Sequence, residues 1–140
     1  MAPATFALDP ALSAWLHGFL ARHGATSGTV HVVDGDVLRM AAAVGIPPKV
    51  QEVTAVIPYG KGMAGLAWER DRPVSTCNLQ EDRSGDVKPG AKAVGAAAAI
   101  AFPLGTPVRA VVGIAWMDTR DLDDAAVEAI TATAADFPSG

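Results

Sequence analysis

The sequence holds one cysteine, Cys77, and three histidines, of which His31 sits inside a run of strand-forming residues. A thiol becomes a redox or adduct-forming nucleophile when a neighbouring cation lowers its pKa, and Lys61, Lys92 and His31 are the cations available for that. The alternative for Cys77 is a small, half-buried hydrophobe, and no His–Asp partner stands near it in sequence. His31 lies in Thr29-Val30-His31-Val32-Val33 and shares one strand face with Thr29 and Val33. On a face that lines a pocket it would bind a ligand anion, ligate a metal or act as a base. Otherwise it is a core or edge histidine with a backbone partner. Cys77 and His31 are the candidate catalytic residues. His17 and His23 lie off the apolar stripe of the first helix and read as solvated surface.

The segment Tyr59-Gly60-Lys61-Gly62-Met63-Ala64-Gly65 could offer backbone N–H groups and a helix start to an anion, with Lys61 as counter-charge. It is no Walker loop, because Gly-Lys-[Ser/Thr] is absent. The preferred alternative is that its glycines simply make the turn and let the helix lie close to a sheet. Asn78, Asp82, Arg83, Ser84, Asp86 and Lys88 crowd one loop with both signs of charge, which suits a polar ligand with several hydrogen-bonding groups or a solvated loop. The loop lacks the alternating acids and terminal Glu of a calcium site. Trp68 and Trp116 are aromatic anchors for a pocket wall or for the core. Asp118, just after the last strand, is the carboxylate expected at a pocket mouth. The candidate ligand-binding set is therefore His31, Tyr59, Lys61, Met63, Trp68, Cys77, Asn78, Asp82, Ser84, Asp86, Trp116 and Asp118. The scattered His and Cys have no zinc spacing, so no metal is expected, and no cofactor is specified.

These residues need elements to hold them. Asp9, Pro10 and Gly24 mark the cap, first position and end of a helix whose Leu12, Trp15, Leu16, Phe19 and Leu20 form one stripe. Residues 28–33 and 37–44 flank Asp34-Gly35 and read as a hairpin. Residues 49–56 fit a short helix or a strand, the helix being preferred; a turn is expected over 57–62, a short helix over 63–70 and a brief strand over 73–77. Residues 78–92 carry no periodicity and read as a long surface loop. Residues 94–104 and 109–117 are nearly continuous apolar runs around Gly105-Thr106-Pro107, hence a hairpin of central strands. A helix over 122–135, capped by Asp121 or Thr119, closes the chain. The order predicts an α+β fold, an antiparallel sheet with the terminal helices on one face and loops and short helices on the other.

At 140 residues, 50% of them apolar and 19% charged, the chain is expected to form a single domain with a real core, spanning 1–140 with its core at about 9–137. A chain of this size buries only about two-thirds of its unfolded surface, so a homodimer is expected. Eleven Lys+Arg against fifteen Asp+Glu give a net charge of −4 without a basic cluster, which argues against nucleic acid as a partner. Residues 1–9 lack the charged and apolar regions of a secretory signal, and the apolar run over 94–104 is shorter than the roughly 20 residues that span a bilayer. No membrane partner and a cytoplasmic location are the expectations.

The segment Ile57-Pro-Tyr-Gly-Lys-Gly-Met-Ala-Gly65, its short helix and Arg72-Pro73-Val74 together resemble the central signature of GAF domains. The initial helix, the Asp-Gly hairpin and the strand Val111-Val112-Gly113-Ile114 before a terminal helix agree with that family across nearly the whole chain. The resemblance implies a GAF/PAS-like sheet and a sensory or regulatory role in binding a small polar or anionic molecule, here in a pocket beneath residues 78–92. Free methionine-(R)-sulfoxide reductases are the sharpest enzymatic comparison within that family, and their sulfoxide chemistry needs a nucleophilic and a resolving thiol. At motif level the resemblance sets their turn cysteine near Ala64, their His- and Cys-bearing segment around residues 94–97, and their glutamate near Ala99. Of their two carboxylates after the last strand, only Asp118 has a counterpart. The thiol machinery of that branch is thus missing from this sequence. The alternatives to a binding domain are another GAF-fold enzyme using Cys77 or His31, and a dimerisation module without a ligand.

Overall fold

Asp9 opens the first helix as the sequence predicts: its Oδ1 accepts from the backbone N–H of Ala11 at 2.8 Å and of Leu12 at 3.3 Å, and Pro10 takes the first helical position. The computed structural model describes residues 8–76, 97–118 and 122–138. Helix α1 (Pro10–His23) ends on Gly24 at φ 64°, a left-handed cap that a residue with a Cβ adopts only at a cost. Strands β1 (Ser27–Asp34) and β2 (Val37–Val44) follow, then helix α2 (Pro48–Thr54) and the short strand β3 (Val56–Pro58). Helix α3 (Gly62–Arg70) leads to β4 (Val74–Thr76). Strands β5 (Ala98–Leu104) and β6 (Ala110–Trp116) form the second hairpin, and helix α4 (Asp124–Ala132) continues into a 3₁₀ turn (Thr133–Asp136).

The strands make one antiparallel sheet in the order β3-β2-β1-β6-β5-β4, so β1 and β6 are its centre. One face is covered by α1 and α4. There Leu12, Leu16, Phe19 and Leu20 of α1 pack on Val30, Ile100, Phe102, Val112, Ile114 and Trp116, with Leu122, Ile130 and Ala134 closing the layer. Trp15 stacks on Phe19 at 4.8 Å, meets Phe137 edge-on at 4.9 Å and donates its indole N–H to Asp136 at 3.0 Å. The first and last described elements are therefore fastened to each other over the sheet. On the opposite face a smaller cluster, Leu38, Ala67, Val74, Ala101 and Val111, lies under α3.

The details depart from expectation where a neighbouring element competes with local pattern. Val56, expected to end a short helix, and Ile57 and Pro58, expected in a turn, form β3, because β2 has an open edge and Leu38 can pair with Ile57. The cap of the last helix is Asp123, whose carboxylate accepts from Ala126 N at 2.8 Å, and not Asp121 or Thr119. A β-bulge between Val30 and His31 leaves Ala41 out of the β1 register, and its carbonyl accepts from Asp9 N at 2.7 Å. His23 is half-buried rather than solvated. Its ring lies edge-on to Phe19 at 4.8 Å and its Nε2 is 2.7 Å from Thr133 Oγ1. Burial, and secondarily the Arg22 charge, lowers its pKa below the ordinary histidine value.

Candidate functional site

Side chains alternate across a strand, so the residues that do not meet α1 and α4 must face the other way. At the centre of the sheet those residues are small. Thr29 pairs with Gly113 and Ser27 with Ala115, while Ala101 and Ala99 flank them from β5. A surface this shallow does not reach the layer above it, and a cavity of about 350 Å³ lies over it. That volume is near the lower end of the roughly 300–1,000 Å³ of small-molecule sites. Its walls are Val50, Val53 and Thr54 of α2, Val56, Ile57 and Pro58 of β3, and Lys61 to Ala64 at the start of α3. The lining is mainly apolar.

His31 is the most deeply buried polar residue of this lining, only 2% exposed, with Ser27 beside it at 5%. Its Nε2 is 2.8 Å from the carbonyl oxygen of Thr54, the last residue of α2. A carbonyl can only accept, so Nε2 carries the proton and Nδ1 presents a lone pair. Burial pushes the ring's pKa below the ordinary value, and the bond to the Thr54 carbonyl offsets this only in part. The imidazole is therefore neutral at physiological pH. Its Nδ1 is buried and has no hydrogen-bond partner among the described residues.

The glycine-rich turn brings α3 to the cavity wall. Gly65 N donates to Lys61 O, Gly60 N donates to Gly65 O, and Lys61 N donates to Pro58 O. A Cβ on Gly65 would stand 2.7 Å from the Pro58 carbonyl oxygen, so only glycine allows α3 to lie this close to β3. Lys61 itself is exposed and occupies the N-cap position without a side-chain hydrogen bond to the helix. The glycines make the turn and the close approach. The positive charge and the start of α3 consequently come to the cavity's mouth.

The cavity collects some of the sequence candidates and leaves out others. His31, Lys61 and Met63 line it. Tyr59 does not; it is 50% exposed and meets Trp68 edge-on at 4.8 Å. Trp68 packs into the cluster beneath α3, about 7.5 Å further along the helix axis than Met63, which borders the cavity. Trp116 is core on the opposite face, 2% exposed, with its indole N–H donated to His23 O at 2.9 Å. The alternation that turns Gly113 and Ala115 to the cavity turns Trp116 to the helices. Asp118 follows the end of β6, exposed and outside the cavity lining. Cys77, Asn78, Asp82, Ser84, Asp86 and the remainder of 78–92 lie outside the described residues.

Sequence reasoning missed the floor, although the signal was present. Strand β5 alternates Ala99 and Ala101 with Ile100 and Phe102, and β6 alternates Gly113 and Ala115 with Ile114 and Trp116. Ala64 and Ala99, near which the family resemblance sets the reductases' cysteine and glutamate, both line the cavity. Among the described residues, no group of three or more His, Cys, Asp and Glu side chains is placed to hold a metal ion.

Comparison with known proteins decides the family. The family model of the GAF domain matches residues 11–137. The chain belongs to the GAF domain family. Solved structures share the fold at low sequence identity. The GAF domain of an Acinetobacter phosphoenolpyruvate-protein phosphotransferase superposes with a TM-score of 0.67 at 16% identity, covering 87% of this chain and 73% of that one. The GAF domain region of a putative membrane protein from Geobacter sulfurreducens gives 0.72 at 13% identity, covering 89% and 85%. The free methionine-R-sulfoxide reductase of Neisseria meningitidis, in complex with its substrate, gives 0.68 at 18% identity, covering 84% and 67%. No curated protein matches this GAF domain in sequence. No helix among the described residues is long and apolar enough to cross a membrane.

Proposed function

We propose that this GAF domain is a small-molecule-binding regulatory domain and that its ligand sits in the cavity between the sheet centre, α2, β3 and the start of α3. The observation that carries this reading is the cavity floor. Ser27, Thr29, Ala99, Ala101, Gly113 and Ala115 leave room on one face of strands whose other face is filled by large side chains. The apolar walls favour a ligand with a mainly apolar body. Among the described residues Lys61 is the one charged residue of the lining, so a negative end of the ligand belongs at the mouth, beside the start of α3. Ala64 and Ala99 give the cavity methyl groups where a thiol and a carboxylate would serve catalysis, which favours binding over turnover.

A route for a signal follows from the same strands. Ile100 and Ile114 pack on the helix side, and their immediate neighbours Ala101 and Gly113 line the cavity. A ligand that prefers one arrangement of the sheet is thus one strand's thickness from α1 and α4, through which a second copy or another protein would read the change. Only a difference in affinity between two arrangements shifts that equilibrium. A ligand-observed NMR screen of small apolar and amphiphilic molecules tests the site, with Gly113→Leu as the variant that fills it. Binders that lose contact with Gly113→Leu support the proposal. Binders unaffected by that substitution, or none at all, would sink it.

A further inference from the structure

We infer that the ligand carries a hydrogen-bond donor, a hydroxyl or an N–H, on its apolar body, and that His31 Nδ1 accepts from it. The inference rests on reading the cavity as the ligand site. The Thr54 carbonyl occupies Nε2–H and so fixes which nitrogen is free: Nδ1 holds a lone pair and no proton. That atom is buried and without a partner among the described residues, in a ring that lines the cavity. Buried polar atoms are paired in the great majority of folded proteins, so an unpaired acceptor in a ring on a cavity wall points to a donor supplied from outside the chain. Nδ1 is covered in the empty cavity, so a donor reaches it only as part of a molecule that enters the cavity and displaces the atoms over that nitrogen.

The alternatives for that atom fit less well. A carboxylate at Nδ1 would need the ring to take up a proton, which burial opposes. A metal ion would need further ligands, and the described lining supplies no carboxylate or second imidazole. Alcohols, phenols and N–H heterocycles meet the lone pair directly. The same contact reaches α2. That helix has no buried residue and no side-chain cap, and the His31–Thr54 bond ties its last residue to the sheet. A donor on Nδ1 polarises the ring and strengthens the Nε2–H bond to Thr54, so binding tightens the hold on α2.

A matched pair of probes tests the assignment: 1-naphthol, which donates, and 1-methoxynaphthalene, which has the same rings and cannot. Calorimetric titration of the whole chain is expected to show naphthol binding about ten-fold more tightly. The His31 Nδ1 ¹⁵N resonance is expected to move only with naphthol, and amide hydrogen exchange in α2 to slow. His31→Leu is expected to erase the preference while the ether still binds. Should that variant not fold, the wild-type pair and the ¹⁵N resonance decide the matter. Equal affinities with an unmoved Nδ1 resonance, both lost in Gly113→Leu, would overturn the donor assignment and leave the ligand site standing. A preference that persists in His31→Leu would overturn it as well. Binding of neither probe would overturn the site and the donor together.

Discussion

The two faces of the central sheet are made from the same strands and do opposite things. On the helix side, Val30, Ile100, Phe102, Val112, Ile114 and Trp116 interlock with Leu16 and Phe19 of α1. On the other side, Thr29, Ala99, Gly113 and Ala115 stop short of the layer above and leave a cavity, with Ala101 at its border with the cluster under α3. The first face removes apolar surface from water and fills space at close to crystal density, which is where the stability lies. The second forgoes that packing. A protein can keep unfilled volume for a ligand in one layer when the adjacent layer is packed tightly enough to hold the strands in place.

The largest effect expected from breaking this contrast is on the packed face. Leu16 is fully buried, and Leu16→Ala is expected to lower unfolding free energy by about 3 kcal/mol in urea titrations, the ordinary cost of a core truncation. Gly28→Ala comes next. Its new Cβ would stand 2.8 Å from the Gly113 carbonyl oxygen and 3.0 Å from Leu20 Cδ2, and overpacking of this kind costs about 2 kcal/mol. A loss as small as a surface substitution's would mean that the β6 backbone at Gly113 gives way as well as α1.

The third prediction concerns pH. The pKa of His31 is lowered in the folded state, so below its unfolded value of about 6.5 the unfolded chain binds the proton that the folded chain resists. Stability is expected to be full above that pH and to fall as pH drops from about 6.5 towards the folded pKa. His23 is lowered too and acts with the same sign. Melting temperatures at pH 7.5 and 5.5, for the wild type and His31→Gln, check this; the variant should lose less on acidification. An equal loss in both would assign the effect to His23 or elsewhere.

The smallest effect is expected on the cavity side. A Cβ at Gly113 would find no atom closer than Thr29 Oγ1 at 3.5 Å, so Gly113→Ala is expected to change stability by within about 0.5 kcal/mol. The pair Gly28→Ala and Gly113→Ala, on neighbouring strands, thus measures the difference between the faces with one methyl group each. Comparable costs for both would mean that the cavity side is packed as tightly as the helix side.

Local signals carried much of the fold. Asp9, Pro10 and Gly24 bound α1 because cap, first turn and left-handed exit are decided within a few residues of each end. The Asp-Gly hairpin and the GAF-like run from Ile57 to Gly65 were readable for the same reason, although their exact limits shifted by pairing partners such as β3 on β2. The site was legible only in part. His31, Lys61 and Met63 were singled out by type and position, but Tyr59, Trp68, Trp116 and Asp118 were singled out by the same reasoning and lie elsewhere. An aromatic side chain does not announce whether the layer facing it is a helix or a space.

The sequence by itself determined the element order apart from β3, the antiparallel α+β class, the stripe of α1 and the alternation of large and small residues along β5 and β6. Those are properties of one segment, set by backbone periodicity and capping. The tertiary structure decided which parity of that alternation meets the helices, that Ala99, Ala101, Gly113 and Ala115 fall together as one floor, and that Thr54, twenty-three positions from His31, fixes its tautomer. These facts depend on strand register and on what packs against each face, and register brings together residues whose separation along the chain carries no local signal.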